Sequence, residues 1–184
     1  EYYSEDPVLT GNIGAAMVNG IESNGVGTSV KHFAANNQET NRSFNDAIIS
    51  ERALREIYLR GFEIIVKKSQ PWTIMSSYNK VNGTYVTESR RLLTDVLRTD
   101  WGFQGLVMSD WFGGQDAAAQ MRAGNDLLEP GTNRQWNALI KAQKNGELSM
   151  EVIDTSVKRI LKLVLASKKM QRYQFGNNPD LKAH

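Results

Sequence analysis

The sequence has 184 residues, with 22 Lys and Arg against 20 Asp and Glu, so a net charge of +2 offers no strong field to nucleic acid or a membrane surface. Hydrophobic residues make up 40% and charged residues 23%, an ordinary globular balance that excludes wholesale disorder. The absence of cysteine removes disulfides, thiolate nucleophiles and thiolate metal sites together, and no apolar run approaches the ~20 residues that cross a bilayer.

The chain opens on Glu1-Tyr2-Tyr3, without an initiator Met or a presequence, so the compartment stays open. Pro7 can begin a helix at its first turn, and Ile13, Met17 and Ile21 then recur every four positions. Gly25 and Gly27 close that segment, and residues 28–35 follow as a short strand-like run. Ser50 is an N-cap candidate with Glu51 in the first turn behind it. The stripe Leu54, Ile57, Tyr58, Gly61, Phe62 and Ile65 fits a helix that stops before Pro71. Residues 72–78 read as a strand, Asn82-Gly83 as a tight turn, and Ser89 as the cap of a helix carrying Leu92, Leu93, Val96 and Leu97.

Residues 105–110 form a nearly continuous apolar run, as expected for a strand buried on both faces. A helix over 116–123 and a strand over 126–129 follow, the latter broken by Pro130-Gly131. Trp136, Leu139 and Ile140 mark another helix. Ser149 caps the last, with Ile153, Val157, Ile160, Leu161 and Val164 on one stripe. Residues 171–184 have little periodicity and read as linker, leaving one domain over 1–170.

Strands alternating with amphipathic helices mean a parallel α/β sheet with right-handed crossovers. Four such strands fit either a doubly wound open sheet or a slice of a (β/α)8 barrel. A complete barrel has eight strands and about 250 residues, so this chain is too short for one by roughly half.

Polar residues cluster just after the strands, where parallel α/β proteins build ligand sites. They are Lys31-His32, Ser76 to Asn79, Ser109-Asp110-Trp111 and Glu129. Each has a plainer alternative: a solvated cation for Lys31, a structural histidine for His32, a helix N-cap for Asp110, core packing for Met75 and Tyr78, and a loop carboxylate for Glu129. No metal constellation is present, because His32 and His184 are far apart in the chain. Neither a phosphate loop nor a GxSxG elbow occurs. The basic residues are scattered, which argues against nucleic-acid binding.

Taken together, Glu1 to Pro7, Lys31-His32-Phe33-Ala34-Ala35-Asn36-Asn37-Gln38-Glu39, Met75-Ser76-Ser77-Tyr78-Asn79 and Gly105 to Trp111 resemble glycoside hydrolase family 3 of the β-glucosidase type. The resemblance runs in order over nearly all of the chain. It implies a barrel-like catalytic domain in which Asp110 is the nucleophile of a retaining, exo-acting β-glucosidase. It also implies that Lys31 and His32 bind sugar hydroxyls, that Met75 and Tyr78 line the subsite beside the nucleophile, and that Trp111 stacks on the aglycone or next sugar. The resemblance further implies that Tyr78 donates a hydrogen bond to Asp110, holding it ionised.

In that family type the general acid/base is a glutamate on a following α/β sandwich domain. The expected partners are therefore a β-glucoside or short gluco-oligosaccharide, the other barrel half and that sandwich domain, with no cofactor, nucleic acid or membrane insertion. Residues 176–184 resemble the start of the linker to the sandwich. The N-acetylglucosaminidase branch instead carries Lys-His-Phe-Pro-Gly-His-Gly, and Ala34-Ala35-Asn36-Asn37 departs from it. The resemblance points to a periplasmic or secreted setting. Two alternatives stand beside the glucosidase reading: a silent sugar-binding or structural fragment, and a β-xylosidase-type member. A barrel enzyme using Lys31 as a Schiff-base former is a weaker third.

Overall fold

The computed structural model describes residues 3–168, 170 and 176. The chain begins with helix α1 (Pro7–Glu22), capped by Asp6, whose carboxylate accepts from the Val8 and Leu9 amides. Strand β1 (Ser29–Phe33) follows, then short β2 (Asp46–Ala47). Helix α2 (Glu51–Ala53), a π-helical turn (Leu54–Tyr58) and α3 (Arg60–Ser69) then succeed one another, with Ser50 as the expected cap. Strand β3 (Thr73–Ser76) leads into the hairpin β4 (Lys80–Val81) and β5 (Thr84–Tyr85). Asn82 and Gly83 both adopt positive φ, 50° and 88°, which is the conformation a two-residue hairpin turn requires.

A second π-helical segment (Arg91–Asp100) precedes strand β6 (Leu106–Ser109), and α4 (Ala117–Ala123), α5 (Asn133–Lys144) and α6 (Met150–Ala166) complete the described elements. Strands β1, β3 and β6 form a parallel sheet in chain order, without the reversal of a doubly wound sheet. The strand expected over 126–129 is a single parallel bridge, Leu127 to Met108. Two amides, Asp126 and Leu127, converge on one carbonyl, Val107, so a regular ladder does not propagate.

One face of the sheet is packed. Ile74 and Val107 are fully buried against Leu54, Leu59, Val66, Leu92, Leu93, Val96 and Leu97. On the other face Met75 and Met108 are register partners and remain half-buried.

Three expected helix stripes are wholly or partly exposed. In α1 the residues Ile13, Met17 and Ile21 are exposed, whereas Gly11, Gly14, Ala15 and Val18 are buried against α3. A Cβ at Gly11 would sit 2.8 Å from the Ile64 side chain, so small residues set this contact by letting two backbones approach. In the helix after Ser50, the π turn adds a residue, marked by the Leu59 amide donating to Leu54 five positions back. The buried side shifts accordingly: Leu59 is fully buried while Ile57 is exposed. On α6, Val157, Leu161 and Val164 of the expected stripe are also exposed. The expected linker, 171–184, lies outside the described residues apart from Gly176.

Candidate active site

The carboxyl ends of β1, β3 and β6 meet around Asp110. Its amide donates to Ser76 O at 2.9 Å, extending the β3–β6 pairing by one residue, and its side chain is only 12% exposed. The Trp111 amide donates to Asp110 Oδ1 at 2.7 Å, which fixes the plane of the carboxylate.

His32 reaches the same carboxylate, with Nε2 at 3.5 Å from Oδ2. Adjacent residues on a regular strand face opposite sides. Here the register against β3 slips between Val30 and Phe33, so β1 carries an extra residue just where Lys31 and His32 lie. A bulge of this kind re-aims side chains at a strand end. The peptide bonds Lys31–His32 and Phe33–Ala34 are cis. Lys31 is exposed at this strand end.

Tyr78 supplies the third contact. Its hydroxyl faces Asp110, and its pKa is pushed up first by burial, then by the negative charge of Asp110 and hydrogen bonding with that carboxylate. The phenol is therefore a proton donor to the carboxylate throughout the neutral range. The Arg42 guanidinium lies 4.8 Å from the Tyr78 ring centroid and pairs with Glu39 at 2.6 Å. The hydrogen bond that Arg42 donates to Glu39, followed by the charge of Glu39 and then the nearby Tyr78 and Asp110, raises the Arg42 pKa against the opposing effect of desolvation. Glu39 ends one of the motifs that carry the resemblance, but neither it nor Arg42 was assigned a site role from sequence. They sit in a loop without periodicity, and only the fold brings that loop over Tyr78.

Met75 faces the half-open side of the sheet beneath this cluster, opposite Met108. Trp111 is 56% exposed at its edge and meets Phe112 edge-to-face, with centroids 6.3 Å apart. The other polar residues of the strand ends are scaffolding. Ser77 Oγ and Asn79 Nδ2 both donate to Ala34 O, tying the end of β3 to the loop after β1. Ser109 Oγ accepts from the Glu129 amide, and the Glu129 carbonyl accepts from Phe112 and from Gln135 Nε2. A cavity of about 890 Å³ beside α1 and α3 reaches Lys31 and His32, yet Asp110, Tyr78 and Trp111 do not line it. Those three residues are gathered at the strand ends instead.

Among the described residues no group of His, Asp and Glu is arranged to hold a metal ion, and no helix is long and apolar enough to cross a membrane.

Strand-end carboxylates beside cationic and aromatic groups, on a parallel sheet backed by helices, define an α/β protein with a polar ligand site. The chain belongs to glycosyl hydrolase family 3: the model of the family's N terminal domain matches residues 1–163. An "Exo-alpha-(1->6)-L-arabinopyranosidase" of Bifidobacterium longum is 47% identical over 187 residues, covering 100% of this chain and 24% of that protein. "Thermostable beta-glucosidase B" of Acetivibrio thermocellus is 46% identical over 165 residues, 89% of this chain and 22% of that protein. Beta-glucosidase 3B from Thermotoga neapolitana, solved in complex with glucose, superposes with a TM-score of 0.94 at 53% identity, covering 100% of this chain and 27% of that one. The chain thus spans about a quarter of the length of these relatives.

Proposed function

We propose that this chain is the nucleophile-bearing half of a (β/α)8 barrel in a retaining, exo-acting β-glucosidase, with Asp110 as the nucleophile. The observation that carries the proposal is the Asp110 carboxylate at the end of β6, oriented by the Trp111 amide and faced by Tyr78 and His32. Strands in unreversed chain order support the half-barrel, and the half-open Met75 and Met108 face is where the remaining strands would close.

In this mechanism an Asp110 oxygen attacks the anomeric carbon of a terminal glucosyl residue as the bond to the aglycone oxygen breaks. A glutamic acid from a segment outside this chain gives its proton to the departing oxygen. The same glutamate then takes a proton from water, which attacks the anomeric carbon and releases glucose and the free carboxylate. Lys31 and His32 bind sugar hydroxyls, with Arg42 adding positive charge near Tyr78 and Asp110. Met75 and Tyr78 line the sugar subsite, and Trp111 gives the aglycone a stacking surface. Hydrogen bonds to hydroxyls that strengthen as the ring flattens favour the transition state over bound substrate.

A second reading keeps the same residues and changes the sugar. The arabinopyranosidase and β-glucosidase relatives are equally close in identity, so an enzyme taking a terminal L-arabinopyranosyl group has the same support. Both readings are tested in the intact enzyme with a panel of aryl glycosides. The glucosidase reading expects the aryl β-D-glucoside to have the highest kcat/KM. It also expects Asp110→Asn to lower turnover by ~10⁴-fold or more with the folded protein retained. Wild-type-like hydrolysis by that variant would remove Asp110 from the mechanism.

A further inference from the structure

We infer that Glu88 is a positioning residue for the site: its carboxylate fixes the turn that presents Asp110 and Trp111. The inference rests on the reading of Asp110 given above. Residues 110–113 form a β-turn, closed by the Gly113 amide donating to Asp110 O at 3.0 Å. Phe112 holds the left-handed position of that turn at φ 63°, a conformation that a bulky residue keeps only when its surroundings impose it.

Those surroundings can be named. The Phe112 amide donates to Glu129 O at 3.1 Å, and Gln120, 2% exposed, donates from Nε2 to Gly113 O at 3.0 Å. The far end is held by Glu88, whose Oε1 accepts from both the Gln115 amide at 2.5 Å and the Asp116 amide at 2.9 Å. Gly114, at φ +70°, is threaded between these anchors: a Cβ there would lie 2.4 Å from Thr87 Oγ1, 2.7 Å from Gln120 Nε2 and 2.9 Å from Glu88 Oε1.

Two amides on one anionic oxygen make a strong, short clamp. The clamp matters to the chemistry because the Trp111 amide, inside the same turn, is the donor to Asp110 Oδ1. If residues 115 and 116 are released, the turn loses one of its anchors, the carboxylate loses its fixed plane, and the Trp111 ring loses its place at the mouth.

The test compares Glu88→Ala with Glu88→Gln in the intact enzyme, reading aryl β-glucoside kinetics and amide hydrogen exchange. Glu88→Ala is expected to lower kcat/KM by ~10- to 100-fold, the scale of a small misplacement at a reacting centre. Faster exchange in that variant should be confined to residues 110–116. Glu88→Gln keeps an oxygen acceptor and should recover most of the activity and the protection. Wild-type kinetics and exchange in Glu88→Ala would overturn the inference. So would equal losses in both variants with exchange raised across the whole domain, which marks a purely structural role. A wild-type enzyme inactive on all glycosides, whose 110–116 amides are still released only by Glu88→Ala, would defeat the glycosidase reading and leave the Glu88 clamp standing.

Discussion

At the scale of single residues, the site is an anion held in place by donors. Tyr78 is the clearest case, because burial and Asp110 both favour its neutral, donating form. A hydrogen bond to a charged group contributes about 1.5–3 kcal/mol, so Tyr78→Phe should reduce kcat/KM by ~10- to 100-fold. The pH dependence of that loss has a definite sign. The Tyr78 pKa lies above its ordinary value of 10.0, so the donor is present at every pH below it. The ratio of wild-type to Tyr78→Phe activity should therefore stay constant across the neutral range, and shrink as pH rises through the raised pKa. A ratio that collapses near neutral pH would assign another role to the phenol. Trp111→Ala belongs to the same scale: its exposed ring should matter to KM for aryl or disaccharide substrates more than to kcat, measured by steady-state kinetics.

At the scale of elements, packing departs from simple helical periodicity where backbone geometry does. The π turn at Leu54–Tyr58 moves the buried side by one residue, so Leu59 and not Ile57 lies in the core. Leu59→Ala should cost about 2–5 kcal/mol in denaturant unfolding, while Ile57→Ala should cost well under half of that. A larger element-level effect is expected at Asp126. Its carboxylate, fully buried, accepts from Arg98 at 2.6 Å, from Arg159 at 2.7 Å and from the Val107 amide at 2.9 Å. Burial pushes Arg98 down to about 10, with Arg159 adding repulsion and Asp126 opposing both. Asp126→Asn would leave two arginines facing each other without a counter-charge, a loss of about 3–5 kcal/mol by thermal or denaturant melting. This knot joins the segment Arg91–Asp100, β6 and α6.

Much of this was legible in the chain, for physical reasons that differ by element. The Asn82-Gly83 turn and the Asp110-Trp111 strand end are local signals, since turn chemistry and an apolar run closed by a polar residue need no tertiary information. Ser50, Ser89 and Ser149 were legible as caps for the same reason, each accepting an amide three positions on. The buried face of α1 was not, because glycines at close approach carry no hydrophobic signal. Arg42 and Glu88 were missed because their roles depend on loops that meet only in the fold. The Asp126 knot stayed hidden likewise, since its partners stand 28 and 33 positions away.

At the scale of the whole molecule, the parallel sheet has one helix-covered face and one half-open face. Exposed Ile13, Met17 and Ile21 on α1, and Val157, Leu161 and Val164 on α6, flank the sheet at its two ends. In the half-barrel proposal these are surfaces for the segments that complete the barrel. The proposed chemistry sets a distance for what lies beyond: a glutamate from outside residues 1–184 should bring its carboxyl to about 5–5.5 Å from Asp110, the separation a retaining pair requires. A structure of the intact enzyme with that gap near 9 Å would point to inversion instead.

The central claim is that Asp110 becomes covalently bonded to the sugar. Incubating the intact enzyme with a 2-deoxy-2-fluoro-β-glucoside bearing a good leaving group, then mapping peptides by mass spectrometry, tests it most directly. The account predicts one fluoroglucosyl adduct, on Asp110, formed as activity is lost. An adduct on any other residue, or loss of activity with Asp110 unmodified, would contradict it.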